Sequence, residues 1–257
     1  MINSLPDDLA LKVALHLEAS DVCSLGSCSR FWRELCGSDF IWEDLCRERW
    51  VAINWDSASS AHGSHSRLPS NWKSNSGKRF LGWKAMYVKR HKEMAGKAAL
   101  IFDFVDQCLT FDSIEIGYHL KAVQDMSSMF FEFEDVQINF LRTDANVLLN
   151  LIGLHYCITI LEMPAESLTE ALRKCKVSER QVCVKWWKLG RLFYGFRLRD
   201  ELLSRTVSLE DLASSKENEV LGVLQRGAIH EVLRVKISAA KPECVPWSCQ
   251  IAESGNL

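Results

Sequence analysis

Leu9, Val13 and Leu17 recur at four-residue intervals near the amino end, and Leu11 and Leu15 lay a second apolar stripe on the same short stretch. At helical periodicity these stripes fall on different faces, so a helix this short cannot bury both within itself. Its start is marked locally. Ser4 offers a capping oxygen, Pro6 is tolerated in a first turn, and Asp7 and Asp8 favour the positive end of the helix dipole. A break at Ser20-Asp21 precedes a second short helix begun by Val22 and Leu25. Arg30 to Leu35 make a third helical stretch, and Gly37 to Asp39 punctuate it before Ile41, Trp42 and Leu45. Three or four such helices in about 45 residues enclose too little core to stand comfortably alone. A module of this kind leans on something else.

The same residues resemble a known family. Leu5-Pro6, Leu9, Val13 and Leu17, then Asp21-Val22 and Leu25, then Trp32-Arg33-Glu34-Leu35, then Ile41-Trp42 and Leu45 follow the order and spacing of the F-box. The resemblance covers residues 2 to 50, and Trp42, Leu45, Cys46, Arg49 and Trp50 also resemble the segment that commonly follows the box. In one place the chain departs from the family, which often carries Val-Cys where Cys28-Ser29 stand here. Cysteine fills a packed site much as valine does, so the exchange changes little. The resemblance implies a helical unit that binds a Skp-type adaptor through its surplus apolar faces, and through the adaptor a cullin and a RING subunit. It makes Leu5, Pro6, Leu9, Val13, Leu17, Leu25 and Trp32 the adaptor-contacting or module-shaping positions.

Composition narrows the alternatives. With 257 residues and 47% hydrophobic side chains, the chain can bury a full-sized core beside this module. A net charge of -2 and a pI near 6.4 argue against nucleic acid or an anionic membrane as the main partner. MINSLPDD lacks the basic start and apolar run of a signal peptide, and the most apolar stretch, Val147 to Ile160, is interrupted by Asn150 and His155. No membrane partner is expected, and the cytoplasm or nucleus is the expected location. The ten cysteines are scattered without CxxC spacing, which reads as reduced thiols with no metal or other cofactor.

Residues 51–80 read as a serine-rich linker, with eight serines between Asp56 and Arg79 and two solvated loop histidines, His62 and His65. Residues 81–241 read as a helical domain and 242–257 as a loose tail. Within the domain, Trp83, Met86, Tyr87 and Met94 form a stripe on a basic helix, and Val147 to Met163 reads as a central buried helix ended by Pro164. Ser167 and Glu170 suggest a capping box at the start of the next helix. From Gln181 to Ser204, helical spacing groups Val182, Trp186, Leu189, Phe193 and Phe196 on one face. Trp187, Tyr194 and Leu198 then make a second stripe, and Lys185, Lys188, Arg191 and Arg199 a basic arc. The stretch Ala228 to Ser238 is ambiguous between helix and strand.

The fold expected from these readings is all-α: an F-box module, a flexible link and a helical carboxyl domain. No internal period of 20 to 50 residues marks a propeller or leucine-rich array. The expected role is that of a non-catalytic substrate receptor in an SCF-type cullin-RING ubiquitin ligase, binding a protein substrate through residues 81–241. Two alternatives stay open. One is an F-box scaffold outside degradation, and the other is a helical protein binding single-stranded nucleic acid through the basic arcs at Lys84–Lys97 and Lys185–Arg199.

Overall fold

The computed structural model describes residues 6–51 and 82–240. The linker (but for Val51), the tail, Leu5 and the two loop histidines lie outside the described residues. The chain divides into two compact units, Met1–Lys97 and Ala98–Leu257.

The first unit holds α1 (Asp7–Leu15), α2 (Ala19–Cys28), α3 (Arg30–Cys36) and α4 (Asp39–Arg49), together with the opening turns of α5 (Trp83–Cys108). Its core gathers Ala14, Val22, Cys36, Ile41, Trp42, Cys46 and Trp50 with Trp83 and Tyr87, and Leu11, Leu15, Leu17, Leu25 and Trp32 pack around it. Large aromatics bury the area that so few residues could not otherwise supply. Their polar handles are matched. The Trp42 indole donates to the Cys36 carbonyl at 2.7 Å, and the Arg49 guanidinium donates to the Tyr87 hydroxyl at 2.7 Å. That guanidinium also lies 4.7 Å from the Trp50 ring centre and 5.3 Å from that of Tyr87, so a charge that is 4% exposed is held by cation–π contacts. At the start of α5 the Trp83 amide donates to Asp39 Oδ1 at 3.0 Å, and Gly82 adopts φ +86°, which a residue with a Cβ rarely takes.

The second unit is not helical throughout, and the all-α expectation is corrected here. After α5 come β1 (Ser113–Glu115), α6 (Ile116–Met129), α7 (Phe133–Asn139), α8 (Val147–Thr159) and α9 (Ala165–Lys174). They are followed by β2 (Gln181–Lys188), β3 (Leu192–Phe193), β4 (Phe196–Arg197), β5 (Glu201–Ser208), α10 (Leu209–Ala213), α11 (Asn218–Arg226) and β6 (Val232–Ala239). Four strands form an antiparallel sheet in the order β1-β6-β2-β5, and β3 and β4 pair separately. The helical reading of Gln181 to Ser204 fails because the same residues also alternate. Val182, Val184 and Trp186 are buried, whereas Gln181 and Lys185 are exposed, which is the two-residue period of a half-buried strand. The ambiguous stretch after Ala228 resolves as β6, whose Val235 and Ile237 are buried opposite Trp186 and Val184.

α8 is the centre of this unit, packing against β2 and β6 with every residue from Val147 to Cys157 buried. Asn146 caps it, its side chain accepting from the Leu148 amide at 3.0 Å. The buried Asn150 donates to the carbonyls of Phe140 and Arg142 and accepts from Arg180, which fixes the approach to the helix. The capping box expected at Ser167 is absent. α9 starts three residues earlier than a Ser167 cap would set it, at Ala165 behind Pro164, whose fixed φ suits a helix entry. His119 of α6 and His155 of α8 stack with centroids 5.1 Å apart and Nε2 to Nδ1 at 2.8 Å. Burial, and secondarily the His155 ring, push His119 well below its ordinary pKa, and burial pushes His155 down to about 4. Both rings are therefore neutral at pH 7, one N–H donating to the other ring's nitrogen.

Two predictions follow from this packing. Alanine is the better helix former, yet a Cβ at Gly153 would stand 2.7 Å from Phe140 Cβ and 3.1 Å from Val136 Cγ1. Gly153→Ala is thus expected to destabilise by about 1–3 kcal/mol in chemical denaturation, overpacking outweighing the roughly 1 kcal/mol propensity gain. The histidine pair gives a pH signature. Each ring binds a proton more readily when unfolded, so its stabilising contribution is complete above about pH 6.5 and is lost as pH falls toward 4. Near pH 5 the fall in unfolding free energy should be steeper in the native sequence than in His155→Gln by about one proton, or about 1.4 kcal/mol per pH unit.

Candidate functional site

The two stripes on α1 have separate fates. Ala10 and Ala14 are fully buried, and Leu11 and Leu15 lean on the core beside them. Small side chains at the contact let the helix lie close to its neighbours. The other stripe is left outside: Leu9 is 49% exposed and Val13 47%, with exposed Pro6 one turn before them. These three lie on a line at spacings of three and four, so they form one apolar face. Leu17, Leu25 and Trp32 are half-buried and pack against the core. Of the described residues in the expected set, Pro6, Leu9 and Val13 therefore offer surface, and Leu17, Leu25 and Trp32 mainly shape the module.

Sequence reasoning missed two further apolar side chains on the same unit. Phe31 is 36% exposed and meets Trp32 edge to face at 5.3 Å, and Phe40 is 59% exposed at the start of α4. The signal was present in Phe31-Trp32, because adjacent residues of a one- or two-turn helix cannot both face one core. α3 is held at its start by Ser29, whose side chain accepts from the Trp32 amide at 3.3 Å, which fixes where Phe31 and Trp32 point. The Arg30–Glu34 pair nearby is 3.0 Å long but almost fully solvated, and adds little.

Other candidate chemistry is absorbed by the fold. Glu132 and Asp135 make a reciprocal capping box at the start of α7, so these carboxylates serve a helix end in place of a cation or an acid and base pair. Among the described residues no group of three or more His, Cys, Asp or Glu side chains is placed to hold a metal ion. Burial pushes the Cys46 and Cys157 thiols up to about 12, which keeps them protonated at neutral pH. Of the expected basic arc, Lys185, Lys188, Arg191 and Arg199 do not share a helix face. Lys185 and Lys188 stand on β2, and Arg191 and Arg199 flank the β3–β4 pair. No described helix is long and apolar enough to cross a membrane.

Comparison with known proteins bears on the first unit. Residues 2–48 match the F-box-like family. Over 121 residues, 45% of this chain, the sequence is 28% identical to F-box/WD repeat-containing protein 7 of Drosophila melanogaster. The match spans 9% of that much longer protein. No solved structure matches the chain. Residues 2–48 thus form an F-box-like segment, and the family resemblance is confined to this amino-terminal part of the chain.

Proposed function

We propose that this chain is the substrate-receptor subunit of an SCF-type cullin-RING ubiquitin ligase. In this reading the amino-terminal module docks on a Skp-type adaptor, the adaptor bridges to cullin and RING subunits, and the second unit holds a protein substrate. The observation that carries it is the exposed Pro6-Leu9-Val13 stripe on a module that matches the F-box-like family. A soluble chain exposing an apolar line on a small helical unit gains by burying it against a partner. Leu5, Pro6, Leu9 and Val13 make the contact, and Leu17, Leu25 and Trp32 keep the helices at the angle that presents it. Phe31 and Phe40 are further exposed apolar side chains that the module can offer to the same partner.

The chain contributes no bond-making step in this reading. It holds the target beside a ubiquitin-loaded conjugating enzyme and so raises the effective concentration of target lysines. The assembly works in the cytoplasm or nucleus.

The adaptor contact is tested by titrating a purified Skp-type adaptor against the full chain and its Leu9→Ala, Val13→Ala double variant. Burying what each side chain still exposes is worth about 1 kcal/mol, so the double variant is expected to bind at least about thirtyfold more weakly. Its melting temperature should stay close to that of the parent, because neither side chain belongs to the core. Equal affinity in the two proteins would remove the stripe from the interface, and no adaptor binding by the parent would overturn the reading as a whole.

A further inference from the structure

In the second unit, β2 and β5 are two sides of one long hairpin that continues past the sheet. Leu198 donates its amide to the Arg191 carbonyl at 2.9 Å, and β3 pairs with β4 beyond it. Tyr194 (φ 47°) and Gly195 (φ 84°) close the tip as a two-residue turn with positive φ at both positions, which matches strand twist. The base of the arm is fixed by Asp200, whose carboxylate accepts from the Gly190 amide and from Arg197. At Gly190 a Cβ would collide with the Leu198 carbonyl, so the two sides close in tightly there.

This arm carries apolar surface that nothing among the described residues of the unit covers. Leu192 is 77% exposed, Tyr194 87% and Phe196 78%, and Phe193, Leu198 and Leu202 are also exposed. Six large apolar side chains in eleven consecutive positions far exceed the scattered exposure normal for a surface. Next to them β5 is the end strand of the sheet, and its outward backbone groups make no further backbone hydrogen bond among the described residues. An open eight-residue edge of this kind is a template for an added strand.

Charge identifies what the edge would take. Between Gln181 and Arg205 stand six cations (Lys185, Lys188, Arg191, Arg197, Arg199, Arg205) and two carboxylates (Asp200, Glu201), and with Glu219 and Glu231 paired to Lys188 and Arg191 an excess of two cations remains, in a chain of net charge -2. Lys185, Arg199 and Arg205 are exposed and make no ion pair among the described residues. Two copies of such an arm laid edge to edge would bring like charges together, which disfavours self-pairing. Three of the six exposed side chains are aliphatic and three aromatic, so side-chain type alone does not choose the occupant; the open β5 edge does, because its backbone groups can pair with a peptide backbone, whereas nucleobases offer no strand to the ladder.

We infer that the β2–β5 arm is a peptide-docking site, taking an extended segment with alternating apolar residues and acidic flanks as an added strand on β5, with its apolar side chains on Leu192, Phe193, Phe196 and Leu202. The inference rests on the substrate-receptor reading and names the class of segment that receptor would hold. It is tested with the full chain in complex with the adaptor, by selection from a displayed random dodecapeptide library. Enriched peptides should alternate apolar residues and carry Asp or Glu. The best of them should bind at least tenfold more weakly to Phe193→Ser, Phe196→Ser and to Arg199→Glu, Arg205→Glu, and should lose binding when its own alternate backbone amides are methylated. No enrichment, equal binding by both variants, insensitivity to backbone methylation, or displacement of the peptide by a thymidine 20-mer would each overturn the inference. Adaptor binding is measured in every arm: its retention confines a failure to the hairpin, and its absence in the parent falls on the receptor reading.

Discussion

The first unit depends on one aromatic enclosure. Trp50 and Tyr87 hold the Arg49 guanidinium, Trp42 packs edge to face on Tyr87, and Trp83 joins the same core with its amide bound to Asp39. Four short helices bury too little surface to hold together through aliphatic contacts alone. Three indoles and a phenol supply the missing area, and the cation–π contacts and the Tyr87 hydroxyl make a buried charge tolerable. Because this core is largely filled by aromatics, α1 meets it through the small Ala14, with Leu11 and Leu15 leaning on it from the side. The larger Leu9 and Val13 are left facing out, and the surplus surface is a consequence of how the core is built.

The second unit solves a different problem. A sheet presents two faces, and helices α6 and α8 cover the one lined by Val182, Val184, Trp186, Val235 and Ile237. The other face is mixed, with Lys185, Ser204, Arg234 and Lys236 beside Trp187 and Leu202, and most of the exposed apolar side chains stand in the arm beyond it. Stability and recognition are thereby assigned to different residues. Substituting the arm should leave the core untouched, whereas substituting α8, as at Gly153, disturbs its packing on Val136 and Phe140.

The amino-terminal module was legible because its signals are local. Proline and acidic residues at a helix start, apolar positions four apart and Gly37 as a stop all act within a turn or two. The β-sheet was not, because its strands carry two periods at once. Val182, Trp186 and Leu189 fit a helix face as well as Val182, Val184 and Trp186 fit a strand face. What decides between them is pairing with β6, whose residues lie far along the chain and have no local signature. Gly190 and Gly195 within the supposed helix were the visible warning, since each weakens a helix and Gly195 sits in the reversal itself. The exposed line at Pro6, Leu9 and Val13 was half legible: periodicity gave two stripes, but only packing against the aromatic core tells which one stays outside.

The central claim is that this outer stripe is an adaptor interface, and amide hydrogen exchange on the full chain, free and with saturating Skp-type adaptor, tests it most directly. The account predicts slower exchange across Asp7–Leu17 and around Phe31–Trp32 in the complex, with α8 unchanged. Exchange in α1 that is the same with and without bound adaptor would contradict it.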